Sequence, residues 1–461
     1  MKKTYNTIDY EWLTRPTGDP FVDAGGYALD EFANHFPELD ILELIMKATD
    51  IYVDRWDSKI NPFFLNSKIT QPAFKGNKKK EENKRYFLFL LKNEGGKEGI
   101  CRITGRKSLV FPGGRDNSIL SGSRTFVNFH HDFQNGIMLS KEVIIRYFFL
   151  PLSCEQLQSR ISLISSSDPK VSEYFSHRVC DRNLSNVAKN ISQTILKTKS
   201  FSPGTSLFRY ADMVINDKND EFEENNASLI LYHFTNFATS PDLTIHHLPF
   251  NVLCFYRYVK KAIYKDDWNS FVSAHYVFGS AKYDSGRDEY IVRDKKSETV
   301  VNSEEFKYWR NTIYDKLLAG KTIIGDMLSF IRSHTFNFNI VRTYQIKIRH
   351  MKKETIDKIE QMADFIISTN DTKGVSKIIK ELDSFTKSVD LRRFVIKDIV
   401  RKNYEEGNED TIVTVNDYVN YLFPDINSWK DTRDILLIAI YERLHKMKMH
   451  VATNDAINIQ K

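Results

Sequence analysis

From about residue 350 onward, apolar residues recur at the three- and four-residue spacing of amphipathic helices. Ile356, Ile359, Ala363 and Ile366 make one apolar face, and Val375, Ile378, Ile379, Leu382 and Phe385 make the next. Leu391, Phe394, Val395 and Ile399 make a third. The stretch Asp417–Leu422 predicts a short element, and Asp431–Lys448 predicts a long final helix. Lys446 and Lys448 lie in its last turn, where cations suit the carbonyl end of the helix dipole. Four or five helices joined by short connections predict a bundle over 350–461.

Before that point the pattern is mixed. Leu29, Phe32, Ala33 and Phe36 define a helix face that Pro37 ends, and Leu42, Ile45 and Met46 define another. Residues 67–80 predict a polar loop. Tyr86–Leu91 then reads as a buried strand, turned at Asn93–Gly96 into a second short strand over Ile100–Ile103. Residues 105–128 are loop-rich, and Glu142–Phe149 is apolar up to Pro151. Further on, Cys154–Ser165 and Leu184–Thr198 read as helices, and Asp212–Asn226 runs into an acidic loop. Leu229–Phe234 and Asn251–Tyr264 are apolar, and Lys282–Ser297 reads as a charged loop around one short strand, Tyr290–Val292. The expected class is α+β. Residues 1–150 form a mixed α/β region with long loops, 151–349 continue it, and 350–461 form the helical bundle.

Charge changes this picture because it is uneven. The chain carries a formal +6, yet residues 68–124 hold 14 Lys and Arg against 5 Asp and Glu, or +9. Residues 351–461 hold 18 against 19, or −1. A basic window of that size can neutralise phosphates. Its polar loops and charged runs supply the candidate DNA contacts: Gln71, Lys75, Lys78, Lys79, Lys80, Lys84, Arg85, Arg106, Lys107, Arg115, Asn117 and Arg124. Basic and aromatic residues also interleave at Lys84–Phe87, at Phe208–Tyr210, and at Phe255–Tyr258 with Lys260 and Lys261. That pairing suits phosphates and unpaired bases, or else an amphipathic element with its aromatics in the core.

Other chemistry is sparse. The sequence has no P-loop, no G-x-S-x-G and no H-E-x-x-H. His130-His131-Asp132 is the one pair reminiscent of a metal-dependent phosphohydrolase, and it lacks further partners at suitable places. His35, His177, His233 and His275 are expected to be core or surface residues. No apolar run reaches transmembrane length and no signal peptide pattern opens the chain. Four scattered cysteines suit a reducing cytoplasm. The expectation is a cytoplasmic protein without cofactor, metal or membrane partner.

Thr17-Gly18-Asp19-Pro20-Phe21-Val22-Asp23-Ala24-Gly25 is the most specific stretch. Physically it reads as a tight turn feeding a helix, with Gly18 free to take positive φ, Pro20 fixing the chain, and Asp23 as N-cap. It resembles the N-terminal signature T-G-[DN]-P-F-x-D-x-G of the CXXC–CXXC family of CRISPR-associated proteins, large subunits of type I effector complexes, mainly type I-B. Cys101-Arg102-Ile103-Thr104-Gly105 resembles half of that family's first C-x-x-C-G knuckle, with threonine at the second cysteine. The region of the second pair, from Asn135 to Pro151-Leu152, lacks the expected cysteines. One cysteine cannot build a tetrahedral site, so no zinc is expected there. Thr414–Tyr418 and the stretch from Trp429 through Asp434–Leu444 agree with the family in order and spacing.

The resemblance implies a non-catalytic subunit of a guide-RNA-directed surveillance complex. Its N-terminal part would read the protospacer-adjacent motif in double-stranded DNA beside the 5′ end of the guide RNA. Its C-terminal bundle would stabilise the opened strands. Partners would include backbone, 5′-handle-binding and small subunits, and a recruited helicase–nuclease or transposition proteins. Replacing Arg115 or Asn117 is expected to alter motif preference. Met351 opens the bundle, and the resemblance implies an internal start there, giving a separate small-subunit-like product. The competing readings are a nuclease built on the His130-His131-Asp132 region and a stand-alone nucleic-acid-binding protein.

Overall fold

A computed structural model describes residues 8–121, 136–191, 193–217, 226–236, 241–294, 297–408, 410–425 and 428–449. The chain divides into two compact units, Met1–Phe250 with Tyr308–Arg310, and Asn251–Lys307 with Asn311–Lys461. The class is α+β: several small sheets accompany a predominantly helical chain with a helical C-terminal region. Among the described residues, no helix is long and apolar enough to cross a membrane.

The first unit opens with helices α1 (Tyr10–Thr14), α2 (Pro20–His35), α3 (Ile41–Asp50) and α4 (Asn77–Leu91). Strands β1 (Lys97–Ile100), β2 (Lys107–Gly113) and β3 (Ile137–Ser140) form an antiparallel sheet in that order. Helix α5 (Lys141–Phe149) follows β3 directly, capped by Ser140. Strands β4 (Glu155–Leu157), β5 (Arg160–Ser166), β6 (Leu229–Thr235) and β7 (Asp242–Leu248) form a second antiparallel sheet. Helices α6 (Pro169–Ala188) and α7 (Pro203–Asp217) lie between β5 and β6 in sequence. One hydrophobic core runs from Leu13 to Phe234 and includes Phe32, Tyr52, Trp56, Phe87, Phe148 and Phe149.

Several local expectations are corrected. Tyr86–Leu91 is the end of α4 and not a strand. Its buried residues are Asn83, Phe87, Leu90 and Leu91, a helical period, while Phe89 is 48% exposed. The supposed loop 67–80 accordingly becomes helix from Asn77. Ile100 closes β1, and Cys101 already belongs to a turn. Cys154–Ser165 is no helix: it enters the β4–β5 hairpin, which turns at Gln158, where φ is +57°. Residues 161 to 165, serines included, are all buried there, so the strand is covered on both faces. The helix expected over 184–198 lies earlier, as α6. Lys282–Ser297 enters a three-stranded meander of Lys282–Asp284, Glu289–Asp294 and Ser297–Val301.

In the second unit, residues 251–307 and 311–349 share one compact body with 350–461. Helices Phe250–Val259, Ala262–Ser273, Thr312–Leu318, Ile324–Ile331 and Phe338–Lys347 precede Lys353–Ser368, Thr372–Ser384 and Ser388–Phe394. The final helix is Trp429–Lys446, with Ile435 to Ile440 buried without a break. It is enclosed from several sides, which explains why its central stretch, Ile435–Ile440, is apolar all round. His445 Nε2 lies 2.7 Å from the Ile331 carbonyl, and Glu442 accepts from the Phe338 amide at 3.4 Å. A product beginning at Met351 would lack both partners and expose that side of the last helix.

Candidate nucleic-acid interface

The turn before α2 is organised by two carboxylates with different tasks. Asp19 is the N-cap, its Oδ1 accepting from the amides of Phe21 at 3.0 Å and Val22 at 2.8 Å. Burial pushes the Asp19 carboxyl above its ordinary pKa, against the pull of the Val22 amide. Asp23, expected as the cap, instead lies in the first turn and reaches back. It accepts from the Thr17 amide and hydroxyl, each at 2.7 Å, and from the Gly18 amide at 2.9 Å. Gly18 sits at φ +87°, where glycine avoids the strain of a side chain.

Arg146 of α5 completes this hub and had no signal in the linear pattern. Its side chain is 1% exposed. The guanidinium donates to Asp23 Oδ1, Val22 O, Trp12 O and Arg15 O, each at 2.8 Å. Burial lowers its pKa, and the Asp23 carboxylate opposes that shift. A Cβ on Gly25 would lie 2.0 Å from the Arg146 carbonyl oxygen, and one on Gly26 would lie 2.7 Å from Arg146 Nε. The signature's polar and glycine residues therefore seat α5 against α2.

Beyond β1 the chain makes a tight turn from Cys101 to Gly105, closed by the Gly105 amide on the Cys101 carbonyl at 2.9 Å. Gly105 takes φ +65°. Burial alone would raise the Cys101 pKa, but hydrogen bonds from the Thr104 hydroxyl and from the amides of Thr104, Ser140 and Ile103 outweigh it and lower the pKa. The turn keeps the amide-to-sulfur bonds of a knuckle, with a threonine hydroxyl where a second thiolate would stand. Cys101→Ser should leave the metal content of the purified protein unchanged, as read by atomic emission. Loss of a metal equivalent would instead make Cys101 a ligand.

Helix α4 collects five of the twelve candidate DNA contacts. Lys78, Lys84 and Arg85 are exposed, and Lys75 is exposed just before the helix. Lys78 Nζ lies 5.5 Å from the Phe74 ring centre, and Lys68 Nζ lies 5.9 Å from the same ring. Lys79 donates to Ser58 Oγ at 2.8 Å. Lys80 is claimed by Asp50 at 2.8 Å and Asp54 at 2.5 Å, and those hydrogen bonds raise its pKa. Arg85 pairs with Glu82 at 2.5 Å. The helix itself carries Glu81 and Glu82 beside its five cations, and Asp50 and Asp54 meet Lys80, so part of the excess in the linear window is neutralised.

The remaining candidates are dispersed. Gln71 is half-buried in the turn that follows Ser67, its amide donating to the Ser67 carbonyl at 2.9 Å. Arg106 pairs with Asp9 at 2.8 Å and lies 4.7 Å from the Trp12 ring centre, while Lys107 is exposed at the start of β2. Arg115 is half-buried, and its carbonyl accepts from the Leu65 amide at 2.7 Å. Asn117 is 9% exposed; it accepts from the Gly114 amide at 2.8 Å and donates to the Tyr86 hydroxyl at 2.7 Å. Its amide holds the loop, so replacing it would disturb local structure before any base contact. Arg124 and His130-His131-Asp132 lie outside the described residues.

The aromatic residues interleaved with basic ones mostly serve the core. Phe208, Tyr210, Phe255 and Tyr256 are buried, and Tyr258 stacks on Tyr264 at 4.6 Å. Outside those stretches, Phe89 is exposed on α4, four residues beyond Arg85. Reading 86–91 as a strand conceals it.

A family model described as the DevT C-terminal domain matches residues 330–459. No curated protein matches the chain.

Proposed function

We propose that this chain is a non-catalytic, nucleic-acid-binding large subunit of a cytoplasmic, guide-RNA-directed CRISPR complex. In this reading the N-terminal unit contacts double-stranded DNA at the protospacer-adjacent motif, while base pairing to the guide reads the longer sequence. The helical region stabilises the opened strands and helps recruit a helicase–nuclease or transposition proteins. The Thr17–Gly25 signature carries the family resemblance. The match of residues 330–459 to a DevT C-terminal domain supports treating the C-terminal helices as a recurring module.

The observation that carries DNA contact is the start of α4. Its first turn has no acidic residue and holds Lys78, Lys79 and Lys80, with Lys75 just outside. Lys79 and Lys80 are held by Ser58, Asp50 and Asp54, whereas Lys75 and Lys78 are exposed at the start of the helix, where a positive potential suits a phosphate backbone. Phe89 offers an exposed face for a base.

The test avoids Lys79 and Lys80, which are engaged within the protein. Replacing Lys75, Lys78 and Lys84 together by alanine should weaken DNA binding at every sequence. The slope of log affinity against log salt should fall by roughly one per lysine. Fluorescence anisotropy on labelled duplexes over a salt series reads both effects. An unchanged affinity and slope would remove this face from the interface.

A further inference from the structure

Helices α2 and α6 pack together and turn six chemically matched side chains toward one another. Glu31 and His35 lie one helical turn apart on α2, with Asp30 beside Glu31. Glu173, His177 and Asp181 succeed one another at four-residue spacing on α6, so all three share a face. The ligand atoms of Asp30, Glu173 and His177 all lie within 4.8 Å of one another.

The distances are informative. His177 Nε2 lies 3.5 Å from Asp30 Oδ2, and His177 Nδ1 lies 3.6 Å from Glu31 Oε2. These are too long for hydrogen bonds. Yet the His177–Asp30 separation matches the edge, about 3.3–3.6 Å, of a tetrahedron whose centre holds ligands at roughly 2.0–2.2 Å. His177 Nε2 is itself buried and makes no hydrogen bond. A buried nitrogen without a partner is costly, and here two carboxylates face it. Glu31 Oε2 lies beside the other ring nitrogen, beyond hydrogen-bond distance. Its second oxygen is engaged by His35 Nε2 at 3.3 Å.

The geometry points to a divalent transition-metal site formed by His177, Asp30 and Glu173. One imidazole with two carboxylates and no thiolate suits a divalent first-row ion, for which Co2+ and Zn2+ serve as probes. Three protein ligands leave the fourth position to water. The ion would cross-link α2, which carries the Thr17–Gly25 signature, to α6. It is independent of the Cys101 turn and of the DNA-binding reading.

The probe is the metal alone, added to the full chain freed of any affinity tag and of bound metal. At pH 7.5 the wild type should bind one equivalent of Co2+, giving the visible absorption of a tetrahedral ion, and Zn2+ should displace it. His177→Ala and Glu173→Gln should each bind at least tenfold more weakly. Their unfolding midpoints in chelator should match that of the wild type; Glu173→Gln keeps the side-chain shape and covers the case that His177→Ala fails to fold. Cys101→Ser and His35→Ala should retain one equivalent. Absence of saturable binding by the wild type would overturn the proposal. So would equal binding by the His177 and Glu173 variants, or loss of binding in His35→Ala with retention in His177→Ala.

Discussion

Arg146→Ala should destabilise the N-terminal unit by about 3–5 kcal/mol, the usual cost of removing one partner of a buried ion pair. For a unit of this size each kcal/mol moves the midpoint by about 2–4 °C, so the transition should fall by roughly 6–20 °C. The reason is specific. Four hydrogen bonds at 2.8 Å end on that guanidinium, three on backbone carbonyls and one on Asp23. Alanine leaves those carbonyls and the carboxylate in a site closed to solvent. Asp23→Asn should also be costly, because it leaves Arg146 as a buried charge beside a neutral amide. The double variant Arg146→Ala with Asp23→Asn should cost less than the sum of the two singles, since both disrupt one interaction. Thermal unfolding followed by tryptophan emission reads the result, with Trp12 and Trp56 reporting on this unit. A loss below about 1 kcal/mol for Arg146→Ala would mean that the hub is not a mainstay of the fold.

Gly25→Ala should be at least as damaging by a different route. The added Cβ would stand 2.0 Å from the Arg146 carbonyl oxygen and 2.7 Å from its carbonyl carbon. Both are backbone atoms, so no side chain can rotate away. Relief requires α2 and α5 to separate, which stretches the guanidinium bonds as well. The expected loss is at or above the upper end of the roughly 1–3 kcal/mol typical of overpacking. Gly18→Ala provides the comparison. Gly18 sits at φ +87°, and a Cβ added there would meet nothing within 4 Å, so only conformational strain of roughly 1–2 kcal/mol is expected. Urea titration of both variants should rank Gly25→Ala as clearly more destabilised. The reverse order would contradict the close approach of the two helices.

The contrast between these glycines shows what is legible in the sequence. Gly18, Asp19 and Pro20 announce a turn and a helix start through local chemistry alone. Gly25 and Gly26 look only like weak helix residues, because their reason is Arg146, more than a hundred residues away. Asp23 reads as the cap for the same reason: local rules cannot see a buried arginine. The C-terminal periodicity is readable because Ile356, Ile359, Ala363 and Ile366 repeat on one face, and all four are buried. Tyr86–Leu91 misleads because six apolar or aromatic residues in a row suit either a strand or a partly covered helix. Only the burial of Asn83, Phe87, Leu90 and Leu91 separates the two.

The candidate interface is legible as composition and not as geometry. The excess of +9 over residues 68–124 does not reveal that Asp50 and Asp54 approach Lys80, or that Asn117 is taken up inside its loop. Those partners lie 30 and 26 residues upstream of Lys80 and 31 residues upstream of Asn117 in the chain. What survives is narrower: Lys75, Lys78 and Lys84 around the start of α4, with Phe89 farther along it.

The most direct test of the proposed role is to purify the tagged chain from cells that express its neighbouring genes, then sequence the nucleic acid it retains. The account predicts RNA of uniform length with a constant 5′ segment, recovered together with further protein subunits in a stable complex. Recovery of the chain alone, or with RNA of random length and sequence, would contradict it.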